Sequence, residues 1–116
     1  MAKTMGAVMG NNMEEEIILE TERLALRRLR RADYADLCLM LKDEEVMYAY
    51  EHAFEDWEAA DWLDRQLMRY EKYGFGLWAV ILKETGELIG QCGLTMQEAG
   101  EREVLEVGYL FRKDFW

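Results

Sequence analysis

Four side chains in this sequence are of types that commonly do chemistry: Cys38, His52, Cys92 and Glu106. A nucleophile of the hydrolase kind needs a base within hydrogen-bond reach, but the chain holds one histidine and no serine at all. Cys38 falls on the apolar stripe of a helical pattern and reads as core packing. Cys92 alternates with Leu88, Gly90 and Leu94 on a strand pattern and reads as core too. His52 lies in the polar stretch EHAFED, where a surface histidine is expected. One histidine and two cysteines without C-x-x-C spacing leave no His/Cys zinc site, so no metal is expected. No glycine-rich phosphate loop occurs anywhere. Glu106 stands apart, because it interrupts the apolar run VLEVGYLF. Two readings fit it. It faces solvent on a half-exposed strand, or it is a carboxylate held in a cleft, with a pKa raised by apolar neighbours, able to take a proton from an amine. Trp57, Trp62, Trp78 and Trp116 read as core rather than as ligand-stacking surfaces.

The elements that must position these residues follow from periodicity. Ile17 to Leu29 reads as one strand interrupted near Glu20–Glu22, with near-alternation from Leu24 to Arg28. Asp33 can cap a helix whose Tyr34, Leu37, Cys38 and Leu41 occupy i, i+3, i+4 and i+7. A turn at Asp43–Glu45 leads to VMYAY and one or two further helical turns. A stronger helix opens at Glu55 or Asp56, lines one face with Trp57, Ala60, Leu63, Leu67 and Tyr70, and stops at Gly74. GLWAVIL is a strand covered on both faces, and Glu84–Glu87 a hairpin turn with Gly86 at positive φ. ELIGQCGLT returns, with Gly90 and Gly93 marking a bulge or a close backbone approach. Gln97–Glu103 reads as a polar loop. In the last strand Leu105, Val107, Tyr109 and Phe111 face one side; Val104, Glu106, Gly108 and Leu110 face the other.

Composition bounds the rest. The 116 residues fit one domain, and a 51% hydrophobic fraction excludes a disordered chain. No apolar stretch approaches the ~20 residues that span a bilayer, so no membrane partner is expected. Residues 1–13 are not a secretory signal, and residues 1–16 read as a flexible arm ahead of a domain over 17–116. A net charge of −10 disfavours nucleic acid. A cytoplasmic location with reduced thiols is the default. The fold class is α/β (α+β): a mixed, mostly antiparallel sheet of about four strands with two to three helices. Proline is absent altogether.

The run LETERLALRRLRRADYADL, then DEEVM, then YGFGLWAVILKETGELIGQCGL and EVLEVGYLFRKDFW resembles the GNAT superfamily of acyl-CoA N-acetyltransferases. The likeness is greatest to the branch that acetylates ribosomal-protein N-termini, and it covers residues 17 to 116. The resemblance implies acetyl-CoA as cosubstrate, an amine acceptor (a protein N-terminus or a small-molecule amine), and a cleft opening beside the EVGYL strand. It implies that main-chain groups around Tyr109, Leu110 and Phe111 pair with the pantetheine arm, and that Glu106 relays the amine's proton. The segment from Val46 to His52 would border the acceptor side. The family's usual prolines are replaced by Arg31, Glu44 and Lys113.

The chain ends at Trp116, where the family continues into G-x-G-Y-A-x-E-A, the turn that binds the coenzyme pyrophosphate. The resulting expectation is an N-terminal portion of the fold, ending at its fourth strand and unable to bind acetyl-CoA on its own. The alternative is an inactive, truncated GNAT-like module. An edge strand left uncovered would favour a homodimer or strand-exchanged oligomer.

Overall fold

A computed structural model describes residues 17–116, with the side chains of 97–99 left aside. The arm expected over residues 1–16 lies outside the described residues. The elements in chain order are β1 (Ile17–Glu20), β2 (Leu24–Arg28), α1 (Tyr34–Leu41), α2 (Asp56–Tyr73), β3 (Leu77–Leu82), β4 (Glu87–Ala99) and β5 (Arg102–Phe111). Short 3-10 turns precede α1, follow Met47 and end the chain. The strands form one sheet in sequence order, with every neighbouring pair antiparallel.

Five strands replace the four or so expected. The first apolar run is not one interrupted strand but a hairpin. Thr21 folds it: its Oγ1 accepts from the backbone N–H of Leu24 at 3.0 Å, and its own N–H donates to Leu24 O at 2.8 Å. Glu20 and Ala25 are thereby brought into register. The polar loop expected over Gln97–Glu103 is also corrected. β4 runs on to Ala99, Gly100 turns at φ 70°, and β5 starts at Arg102, so Gln97 pairs with Val104 and Glu98 with Glu103.

The expected phase of α2 needs correcting as well. Its buried positions are Ala59, Leu63, Gln66 and Tyr70, while Trp57 and Ala60 are exposed. The helix opens at Glu55, whose backbone N–H donates to the Glu58 carboxylate at 3.0 Å, and closes where Gly74 turns left-handed. Asp33 does not cap α1 as expected. Its carboxylate holds the guanidinium of Arg27 through two bonds of 2.9 and 3.0 Å, and also accepts from the backbone N–H of Arg30. Both side chains are buried.

The core lies between the helices and one sheet face, where Leu29, Leu37, Met40, Leu41, Met47 and Leu63 are sealed from water. Each such side chain contributes roughly 1.5–3 kcal/mol by burial. Cys38 and Cys92 are free and half-buried; Cys38 packs at the margin of that core. Trp62 and Trp78 pack against it; Trp57 and Trp116, expected inside, are exposed. Tyr70 ties α2 to the sheet. Its hydroxyl accepts from Leu29 N at 3.0 Å and donates to Leu77 O. No helix among the described residues is long and apolar enough to cross a membrane.

Candidate active site

The register of β4 with β5 decides which residues share the helix-facing side of the sheet. Thr95 lies opposite Glu106, Gly93 opposite Gly108, and Gln91 opposite Leu110. Alternation then sends Tyr109 and Phe111, opposite Cys92 and Gly90, to the other face. Gly93 lets the strands approach: a Cβ there would stand 2.1 Å from Gly76 O.

Between α2 and this side of β5 opens a cleft of about 440 Å³. Trp62, Arg65 and Arg69 of α2 form one wall, Glu106 and Gly108 of β5 the other, and Tyr50 stands at its border. Trp62 is fixed in place. Its indole N–H donates to Gln91 Oε1 at 2.8 Å, and its ring meets Tyr50 and Phe54 edge-on, each at 5.7 Å. Gln91 is fully buried and its amide nitrogen has no hydrogen-bond partner among the described residues. Thr95 is 7% exposed, so Glu106 extends over a nearly sealed floor into the open cleft.

Glu106 is thus an exposed residue on a cleft wall, the solvent-facing position of the first sequence reading. Leu110 shares its face of the strand and packs on the core. Tyr109 also borders the cleft, though alternation turns its side chain, like that of Phe111, to the other sheet face. Tyr109 is 69% exposed, and Phe111 lines a separate apolar hollow with Leu24, Ile89 and Phe115. The main chain of all three belongs to β5, which pairs with no strand but β4 among the described residues.

His52 is not a catalytic base waiting for a nucleophile. Its Nε2 lies 2.9 Å from the Glu58 carboxylate. That carboxyl is held below the usual range, first by the Glu55 N–H and then by His52. Among the described residues no group of His, Cys, Asp and Glu is placed to hold a metal ion. Sequence reasoning passed over Trp62, Gln91, Arg65 and Arg69 as site residues. Trp62 to Arg65 to Arg69 is a helical i, i+3, i+7 spacing that could have been noticed, but no signal in the sequence says which face of α2 meets β5.

Comparison with known proteins bears on the family of the chain. The model of the acetyltransferase (GNAT) domain family matches residues 23–116. The chain is 32% identical over 105 residues to the uncharacterized protein YkkB of Bacillus subtilis, covering 90% of this chain and 61% of that protein. It is 34% identical over 102 residues to the uncharacterized N-acetyltransferase p20 of Bacillus licheniformis, covering 84% and 56%. A putative GNAT-family acetyltransferase from Bordetella pertussis superposes with a TM-score of 0.70 at 17% identity, over 83% of this chain and 60% of that one. An acetyltransferase from Agrobacterium tumefaciens gives a TM-score of 0.65 at 25% identity, over 82% and 54%. The chain therefore spans between 54% and 61% of the length of these relatives.

The expectation of a sheet that stops at a fourth strand is corrected. The family match runs over residues 23–116, and five strands form one continuous sheet where an unfinished four-stranded portion was expected. The chain belongs to the GNAT acetyltransferase family.

Proposed function

We propose that this domain transfers the acetyl group of acetyl-CoA to an amine that enters the cleft between α2 and β5. One observation carries the reading. β5 presents an acidic side chain, Glu106, on the cleft wall beside a backbone edge that pairs with no further strand among the described residues. An open strand edge offers alternating N–H and C=O groups, which match the amides of a pantetheine arm. The main chain of Tyr109, Leu110 and Phe111 is the segment that would hold it, and Gly108 keeps the approach clear of a side chain.

Acetyl-CoA supplies an acyl thioester. Glu106 takes the proton from the incoming ammonium, directly or through one water, leaving a neutral nucleophile. A backbone N–H of β5 donates to the carbonyl oxygen as negative charge develops there. The new C–N bond forms as the C–S bond breaks, and the sulfur leaves as the coenzyme thiol. Trp62 and Tyr50 restrict water on the acceptor side and orient the amine. The cleft volume suits a small-molecule amine or the end of a peptide. The cytoplasm is the setting proposed for this activity, and two free cysteines accord with it.

Isothermal titration with acetyl-CoA tests the cosubstrate. Micromolar binding, retained in Glu106→Gln, is the expected result; no measurable heat at millimolar acetyl-CoA would overturn the assignment of the β5 edge.

A further inference from the structure

The two walls of the cleft carry opposite charges that do not neutralise one another. Arg69 is half-buried and makes no hydrogen bond or ion pair among the described residues. Arg23 and Arg102 likewise make no side-chain ion pair among the described residues, but both are exposed to water, where Arg69 is not. Elsewhere Arg27 meets Asp33, Arg31 meets Asp64, and Arg112 meets Asp114. Arg65, one turn before Arg69 on the same face of α2, pairs with Asp61 at 3.0 Å and also lines the cleft. Across from them Glu106 makes no ion pair among the described residues either. A half-buried guanidinium without a carboxylate gives up part of its hydration and gains nothing within the domain. Its fork of donors suits a planar carboxylate on a ligand.

We propose that the cleft selects acceptors bearing a carboxylate as well as the amine, with Arg69 binding the carboxylate while Glu106 faces the amine. The ligand is a zwitterion laid across the cleft, and its charges match the walls in order. Arg65 adds positive potential on the same side, partly offset by Asp61. The chain's net charge of −10 repels anions at long range, so a carboxylate is held here only by these local cations. Leu77 and Leu110 give the floor an apolar stretch for the ligand's carbon frame. This assignment rests on acetyl transfer at the same cleft, and the test separates the two.

The probes are matched sets built on alanine, leucine and phenylalanine: the free amino acid, its carboxamide, and the amine lacking the carboxyl group. Initial rates of thiol release at saturating acetyl-CoA give kcat/KM for each. The free acids are expected to exceed their carboxamides by about tenfold or more, the scale of one charge-assisted hydrogen-bonded pair, with the difference residing in KM. In Arg69→Gln the acid-to-amide ratio falls toward one, and in Arg69→Lys it is partly kept. Equal rates for acid and amide, or a ratio unchanged in Arg69→Gln, overturn the inference while leaving acetyl transfer standing.

If no probe is turned over, acetyl transfer fails, and titration of tryptophan fluorescence with the free acids still decides the anion site. Quenching that saturates with the wild-type chain and is lost in Arg69→Gln sustains it; no saturation overturns it. Matching thermal midpoints for the variants and the wild type confirm that the fold is intact.

Discussion

Tyr70 illustrates how one side chain can join helix to sheet and leave a signature in solution. It is 5% exposed, and burial pushes its pKa up to about 12, against a smaller lowering from the Leu29 N–H and the Arg28 guanidinium. The folded value lies above the unfolded one of 10, so its contribution is complete below pH 10 and is lost as pH rises toward 12. Denaturant titrations should show stability falling by about 2 kcal/mol across that window. Tyr70→Phe should remove this component and cost about 2 kcal/mol at neutral pH, because Leu29 N–H and Leu77 O lose their partner. A pH profile as steep in the variant as in the wild type would contradict this role. At this scale the sequence marked Glu106 because a carboxylate inside an apolar strand is conspicuous. It could not mark Arg69, whose half-burial on the cleft wall without a partner among the described residues shows only in the fold. Asp33 was legible as a residue that bonds backbone, but its grip on Arg27 depends on a tertiary contact that spacing does not reveal.

At the scale of elements, existence was easier to read than phase or extent. α2 was expected with its stop at Gly74 and a stripe through Leu63 and Tyr70. Counting only apolar residues then placed Trp57 and Ala60 inside, whereas the helix buries Ala59 and Gln66. Gln66 can be inside because its Oε1 accepts from Leu77 N at 3.1 Å. The β4–β5 hairpin was underestimated, since Gln97 to Glu103 is polar and carries a strand pattern only once pairing is known. Gly90 and Gly93 were read as a bulge or a close approach, and both occur: the register shifts between Val80 and Ile81, and Gly93 lies against the backbone of Gly76. Backbone cannot move aside as a flexible side chain can. Gly93→Ala should therefore cost roughly 3 kcal/mol, read as a lower urea midpoint, and should disorder the cleft floor. A midpoint within error of the wild type would contradict the close packing.

For the whole molecule, a GNAT-type fold was legible because several weak segments occur together and in order. The count of strands was not, since a hairpin turn at Thr21 and a bent single strand have the same apolar pattern. The cleft itself arises from the alignment of α2 with β5, two elements distant in the chain. The proposed activity is acetyl transfer in this cleft with Glu106 as base. Steady-state acetyl transfer to a primary amine, following both coenzyme thiol and acetylated amine by mass, tests it most directly. Equal amounts of the two products are expected, with a kcat at least about 100-fold lower in Glu106→Gln and acetyl-CoA affinity unchanged. Thiol release that is independent of the amine, or a Glu106→Gln chain as fast as the wild type, would contradict it.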